Sequence, residues 1–191
     1  MGLFWQENGR LLVFLMLFLM GASLGCPAYR HGAEPLRAIP SVWLTEPSTG
    51  SAATDVLSVF SHACLMPGLL LLILMAAGLS AIGAPVIFAV PLVFGFGVGF
   101  TEGYVFSADG LWRMTWMLLP PTLLLLWAVL MAACESLRMT LRIVCQVMPR
   151  TAGAGGLWQE CKRFLLRYFI FAGLVLLSAA LQTLLICIAP G

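Results

Sequence analysis

The residues able to do chemistry in this 191-residue chain are few and far apart. The only histidines, His31 and His62, share no helix face with a second ligating side chain, so no metal site is expected. Six cysteines stand at positions 26, 64, 134, 145, 161 and 187 with no Cys-x-x-Cys pair. Thiols spaced this way in apolar segments read as small packing groups, and an outer disulfide between Cys26 and Cys187 is an allowed alternative. Ten methionines are scattered singly, which suits packing rather than copper handling. No Ser/His arrangement, no His-Glu-x-x-His and no aspartate pair falls inside the apolar stretches. The expectation is a protein without catalysis and without a cofactor.

One acidic residue interrupts an apolar stretch. Glu102, in Gly99-Phe-Thr-Glu-Gly103, falls toward the far end of a helix starting near Pro85, at about 1.5 Å per residue. Asp109, Arg113 and His62 belong at a similar depth. Two readings stand for Glu102, Arg113 and His62: a local ion pair between Glu102 and Arg113, or an intramembrane polar site handling protons or substrate. Glu135, with Arg138 three residues on, reads as a local pair.

The same stretch carries Gly95, Gly99 and Gly103, four apart, with Gly97 between them. On a helix this spacing leaves bare backbone along one stripe, where a second helix can approach closely. In lipid, such packing is a main source of helix association. The stripe could pack within the chain or between copies in a homo-oligomer.

The elements that position these residues must be membrane helices. The chain is 61% hydrophobic and 9% charged, with a mean hydropathy of +1.01. Soluble domains carry roughly a quarter charged residues. The bilayer is therefore the solvent, and a net charge of +2 gives no footing for nucleic acid. Five apolar segments, 11–25, 56–79, 85–106, 114–135 and 168–188, predict an all-α bundle of about five transmembrane helices in a single domain. The uncharged turn around Gly78–Ala84 makes residues 78–106 either two spans or a re-entrant hairpin. An outer loop over 26–55, broken by Pro27, Pro35, Pro40 and Pro47, would lie at the membrane surface with Val42, Trp43 and Leu44 dipping in. A basic cytoplasmic loop over 137–167 would begin as a helical extension of the fourth span. It serves as an ordinary charged flank or as a contact for anionic headgroups.

With the N-terminus cytoplasmic, Arg10, Arg138, Arg142, Arg150, Lys162, Arg163 and Arg167 lie inside, and only Arg30, Arg37 and Arg113 outside. The positive-inside rule then gives a multi-pass membrane protein with its N-terminus in and its C-terminus out. Ser23-Leu24-Gly25-Cys26 is similar to a lipoprotein cleavage site, but with the aliphatic and small positions reversed, so the segment is expected to be a retained first span. Pro67, Pro85, Pro91, Pro120 and Pro121 would bend the spans and shape the bundle.

Three stretches together resemble the stage II sporulation protein M family: Gly78-Leu-Ser-Ala-Ile-Gly-Ala-Pro85, Gly95-Phe-Gly-Val-Gly-Phe-Thr-Glu-Gly103, and Leu118-Leu-Pro120 leading to Ser136-Leu-Arg138. The detailed resemblance covers roughly residues 65–145, and the layout of an early span, an outer loop and closely spaced spans covers the chain. It implies a role in engulfment during sporulation, as a scaffold at the septal membrane that recruits peptidoglycan hydrolases for cell-wall remodelling. It also carries over Gly83, Pro85 and Pro120, beside Gly95, Gly99 and Gly103, as helix-packing positions. The alternative is a permease-type subunit for a lipid, ion or small solute, with a separate ATPase.

Overall fold

The computed structural model describes residues 2–31, 52–113, 119–147 and 157–188; toward several helix ends it describes the backbone alone. Those residues form five helices and an all-α membrane bundle: α1 (Gly2–His31), α2 (Ala52–Gly78), α3 (Ala84–Arg113), α4 (Leu119–Val147) and α5 (Leu157–Ile188). Four carry stretches long and apolar enough to cross a membrane: Gly9–Ala28, Ala84–Gly103, Leu119–Cys145 and Gln159–Leu185. In α2 the apolar stretch among the described residues is the shorter Ala63–Gly78.

The helices run past the limits that apolar counting gives. α1 continues through Pro27 to His31, so the first six residues of the expected outer loop are helical. α4 continues to Val147 and α5 begins at Leu157, which leaves only 148–156 of the expected basic loop outside the described residues. Val42, Trp43 and Leu44 lie outside the described residues as well.

Contacts fix the directions. Phe18 faces Gly95 and Ala22 faces Gly99, an advancing register that makes α1 and α3 parallel. Leu74 meets Ser136 and Ala77 meets Thr140, so α2 and α4 are parallel. Glu135 meets Arg167 and Arg142 meets Glu160, so α4 and α5 are antiparallel. The chain therefore alternates in direction, and residues 79–83 form the turn between two separate helices, α2 ending at Gly78 and α3 running on through 106. The start of α1, the α2–α3 turn, the end of α4 and the start of α5 share one end of the bundle. Arg10, Arg138, Arg142, Lys162, Arg163 and Arg167 lie at that end.

The turn is tight. Ser80 N donates to Ala77 O at 3.1 Å, Gly83 N to Ser80 O at 3.3 Å, and Ile87 N to Gly83 O at 3.0 Å, which opens α3. A methyl group on Gly83 would collide with the Ala77 carbonyl, so only glycine lets the chain reverse here. Pro85 follows in the first turn of α3, where its missing N–H is not needed.

α4 is the hub, in contact with all four other helices, while α1 packs mainly along α3. The side chains α4 buries are mostly small: Ala128, Ala132, Ala133, Cys134, Ser136 and Thr140, together with Val129. Leu12, Met16, Leu166, Phe169 and Leu177 are exposed, as lipid-facing side chains are. Gly83→Ala is expected to destabilise the bundle by about 1–3 kcal/mol, the range for overpacking, whereas Gly173→Ala, which meets open space, is expected to be neutral. Denaturation of the two variants in mixed micelles checks the pair.

Candidate functional site

The stripe on α3 is filled by α1 of the same chain. A methyl on Gly95 would strike the Phe18 carbonyl oxygen, and one on Gly99 would strike the Ala22 carbonyl. The relation is reciprocal. Gly21 faces the Leu92 carbonyl, and Gly25 the Phe96 carbonyl, just as closely. Two glycine pairs, each four residues apart, thus interlock backbone against backbone. The hydrogen in place of each absent Cβ points at a carbonyl oxygen, the geometry of a weak Cα–H···O bond. Along this seam Phe14 meets Phe88 with centroids 5.3 Å apart, and Phe18 meets Phe94 at 5.6 Å. Gly97 is buried, and Gly103, one turn beyond Gly99, is half-buried. Gly21 and Gly25 are the partners that the sequence reading passed over, though their four-residue spacing is the same signal.

A second fastening lies at the C-terminus of α2, where the last carbonyls of a helix lack intrahelical donors. Ser136 Oγ donates to the Leu74 carbonyl at 2.9 Å. Thr140 Oγ1 lies 3.2 Å from the Ala77 carbonyl and 3.3 Å from that of Gly78. Tyr168 from α5 completes the group. Its hydroxyl is hydrogen-bonded to Ser136 Oγ and lies 3.3 Å from the Ala132 carbonyl. Since the Ser136 proton goes to Leu74, the Tyr168 hydroxyl donates and Ser136 accepts. Ser136 and Thr140 are fully buried and Tyr168 nearly so. Gly78 makes the clamp close: a methyl there would sit 2.9 Å from the Phe164 ring and 3.0 Å from Ser136 Cα. At the other end of α4, Ser178 Oγ donates to the Pro121 carbonyl at 2.8 Å.

Beside the clamp lies an ionic cluster. Glu135 pairs with Arg138 at 3.1 Å, as their spacing suggests, and also with Arg167 of α5 at 2.6 Å. Arg142 pairs with Glu160 at 2.6 Å. These bridges tie α4 to α5 where the spans end.

The remaining sequence candidates are dispersed. Glu102 is half-buried on α3 and, among the described residues, makes no ion pair or hydrogen bond. Next to it Thr101 Oγ1 is buried without a hydrogen-bond partner among those residues. The Arg113 and His62 side chains lie outside the described residues, so their pairing with Glu102 does too. Among the described residues no three His, Cys, Asp or Glu groups gather as metal ligands. Cys26, Cys64, Cys134, Cys145 and Cys161 carry free thiols, and Cys187, the other half of the allowed disulfide, lies outside the described side chains. Pro85 is exposed, and Pro120 is half-buried beside the buried Pro121 in the first turn of α4.

Removing the clamp tests its strength. Ser136→Ala and Tyr168→Phe are each expected to lower stability in micelles, with a coupling of about 0.6 kcal/mol and at most about 1.7 kcal/mol in a double-mutant cycle, the range found for interhelical hydrogen bonds in membranes. Additive effects would mean that the two hydroxyls act independently.

Comparison with curated proteins and with solved structures gave no match. The sequence pattern of the family described as Stage II sporulation protein M matches residues 11–182. That range takes in both glycine pairs, the α2–α3 turn, the hydroxyl clamp and the ionic cluster, so this multi-pass helical membrane protein belongs to the stage II sporulation protein M family.

Proposed function

We propose that the chain is a non-enzymatic membrane scaffold of sporulation, which holds peptidoglycan hydrolases at the septal membrane during engulfment. The observation that carries this reading is where the polar side chains go. Ser136, Thr140 and Ser178 spend their hydroxyls on backbone carbonyls of neighbouring helices, and Tyr168 spends its own on Ser136. The glycine seam likewise joins helix to helix. The groups that could serve a reaction are thus used to hold a shape.

The basic end faces the cytoplasm by the positive-inside rule. The end of α1, the start of α2, the end of α3 and the start of α4 then lie on the wall side. A wall-facing partner meets these helix segments, which residues 32–51 and 114–118 connect along the chain. The bundle sets the spacing of these segments through its two fastenings.

Crosslinking and affinity capture of the tagged protein from sporulating membranes, followed by mass spectrometry, tests the reading. Wild-type protein is expected to bring down secreted or membrane-anchored cell-wall hydrolases. Gly99→Ile, which pushes α1 off α3, is expected to lose them, while Gly9→Ala, with nothing near its Cβ position, retains them. Recovery of a cytoplasmic ATPase in place of hydrolases would overturn the scaffold and favour transport.

A further inference from the structure

At the basic end, six cations of the described residues, Arg10, Arg138, Arg142, Lys162, Arg163 and Arg167, meet two carboxylates, Glu135 and Glu160. The carboxylates are already engaged: Glu135 by Arg138 and Arg167, Glu160 by Arg142. Among the described residues none is left for Arg10, Lys162 or Arg163. The excess is not spread evenly. A cleft of about 370 Å³ between α1 and α4 is lined, among the described residues, by Arg10, Arg138 and Arg142 with Leu141 and Cys145, and by no acidic one. A second cavity of about 220 Å³ between α4 and α5 shares Arg138 and Arg142 with it and adds Arg163 and Arg167. In the first cleft Arg10 joins Arg138 and Arg142, each held by a carboxylate that lies outside the cleft lining, and guanidinium forks grouped in this way bind a phosphate in bidentate fashion.

The depth of the cleft selects the source of that phosphate. Arg10 immediately precedes the uncharged run 11–29 of α1, and Arg138 and Arg142 follow the uncharged run 119–134 of α4. The cleft therefore opens where two spans leave the hydrocarbon, at the level of lipid headgroups. Leu141, 41% exposed, gives it an apolar wall. We infer that the cleft of Arg10, Arg138 and Arg142 binds the phosphodiester headgroup of an anionic glycerophospholipid. The bound lipid would neutralise the excess charge and join α1 to α4, two helices that otherwise share a small contact.

The test uses the purified full-length protein in micelles with defined lipids. Phosphatidylglycerol is expected to raise the Tm well above the value in phosphatidylcholine and to remain bound in native mass spectrometry. Arg10→Gln removes a cation that holds no ion pair among the described residues, and is expected to weaken phosphatidylglycerol binding about fivefold, equivalent to about 1 kcal/mol for one cation near a headgroup. Lys162→Gln makes the same change in net charge outside both cavities and is expected to leave binding unchanged. Equal losses in the two variants would mean a diffuse field rather than a site. Equal stabilisation by the two lipids, or equal stabilisation by glycerol phosphate or inorganic phosphate at the same concentration, would also overturn the assignment. A Tm of each variant measured without added lipid separates loss of binding from loss of folding.

Discussion

In hydrocarbon, an apolar side chain gains nothing by turning inward, so helices hold together where backbone can touch backbone or where a polar group finds a carbonyl. Nearly everything specific in this bundle follows from that constraint. The exposed Leu12, Met16, Phe169 and Leu177 are as well solvated by lipid as by protein. What distinguishes the inner faces is small size. Gly21, Gly25, Gly95 and Gly99 bring α1 and α3 into backbone contact, and the close approach in turn stacks the phenylalanines beside them. The dispersion energy of those rings depends on the glycines, because a single added methyl would part the helices along the seam.

The hydroxyl clamp answers a different consequence of the same solvent. A helix that ends in or near lipid leaves carbonyls without donors, and each costs several kcal/mol if nothing meets it. α2 ends at Gly78 without a cationic side chain in its last turn. Its carbonyls are met by Ser136 and Thr140 from α4, one turn apart on the same face. Capping and tertiary packing are therefore one interaction here. The Gly78 carbonyl takes its donor from α4, while those of Met75 and Ala77 already accept from Leu79 and Ser80, and Tyr168 makes the docking of α5 part of the same group.

The sequence makes some of this plain and hides the rest for physical reasons. Apolar blocks mark the helices well, because bilayer thickness sets a minimum length. Helix ends are hidden, since α1 carries Pro27 inside it and α4 keeps its helix through Arg138 and Arg142. Gly95 and Gly99 stand out by spacing. Gly21 and Gly25 share that spacing but sit beside Ser23 and Cys26, where the local composition suggested a cleavage signal instead. The clamp is the least legible part. A buried threonine in a helix can bond back to its own chain, as Thr183 does to the Ala179 carbonyl at 2.8 Å. Thr140 instead crosses to α2. Nothing in the residue type separates the two, and only the placement of the neighbouring helix decides. Glu135 shows both sides at once: its contact with Arg138 is local and readable, and its shorter one with Arg167 is tertiary.

The two fastenings also differ in depth, and this bears on how rigid each face is. Gly99 lies 15 residues beyond Ala84, roughly 22 Å along α3 at 1.5 Å per residue, so the glycine seam grips the half of the bundle away from the basic end. The clamp, the α2–α3 turn and the ion pairs grip the basic end itself. A bundle tied at one level alone could splay at the other. Here α1 and α3 are locked at one depth, α2, α4 and α5 at another, and the short Gly83 turn joins the two groups. At the far end α4 is also tied to α5, where Ser178 Oγ donates to the Pro121 carbonyl, so both levels of the bundle carry contacts between helices.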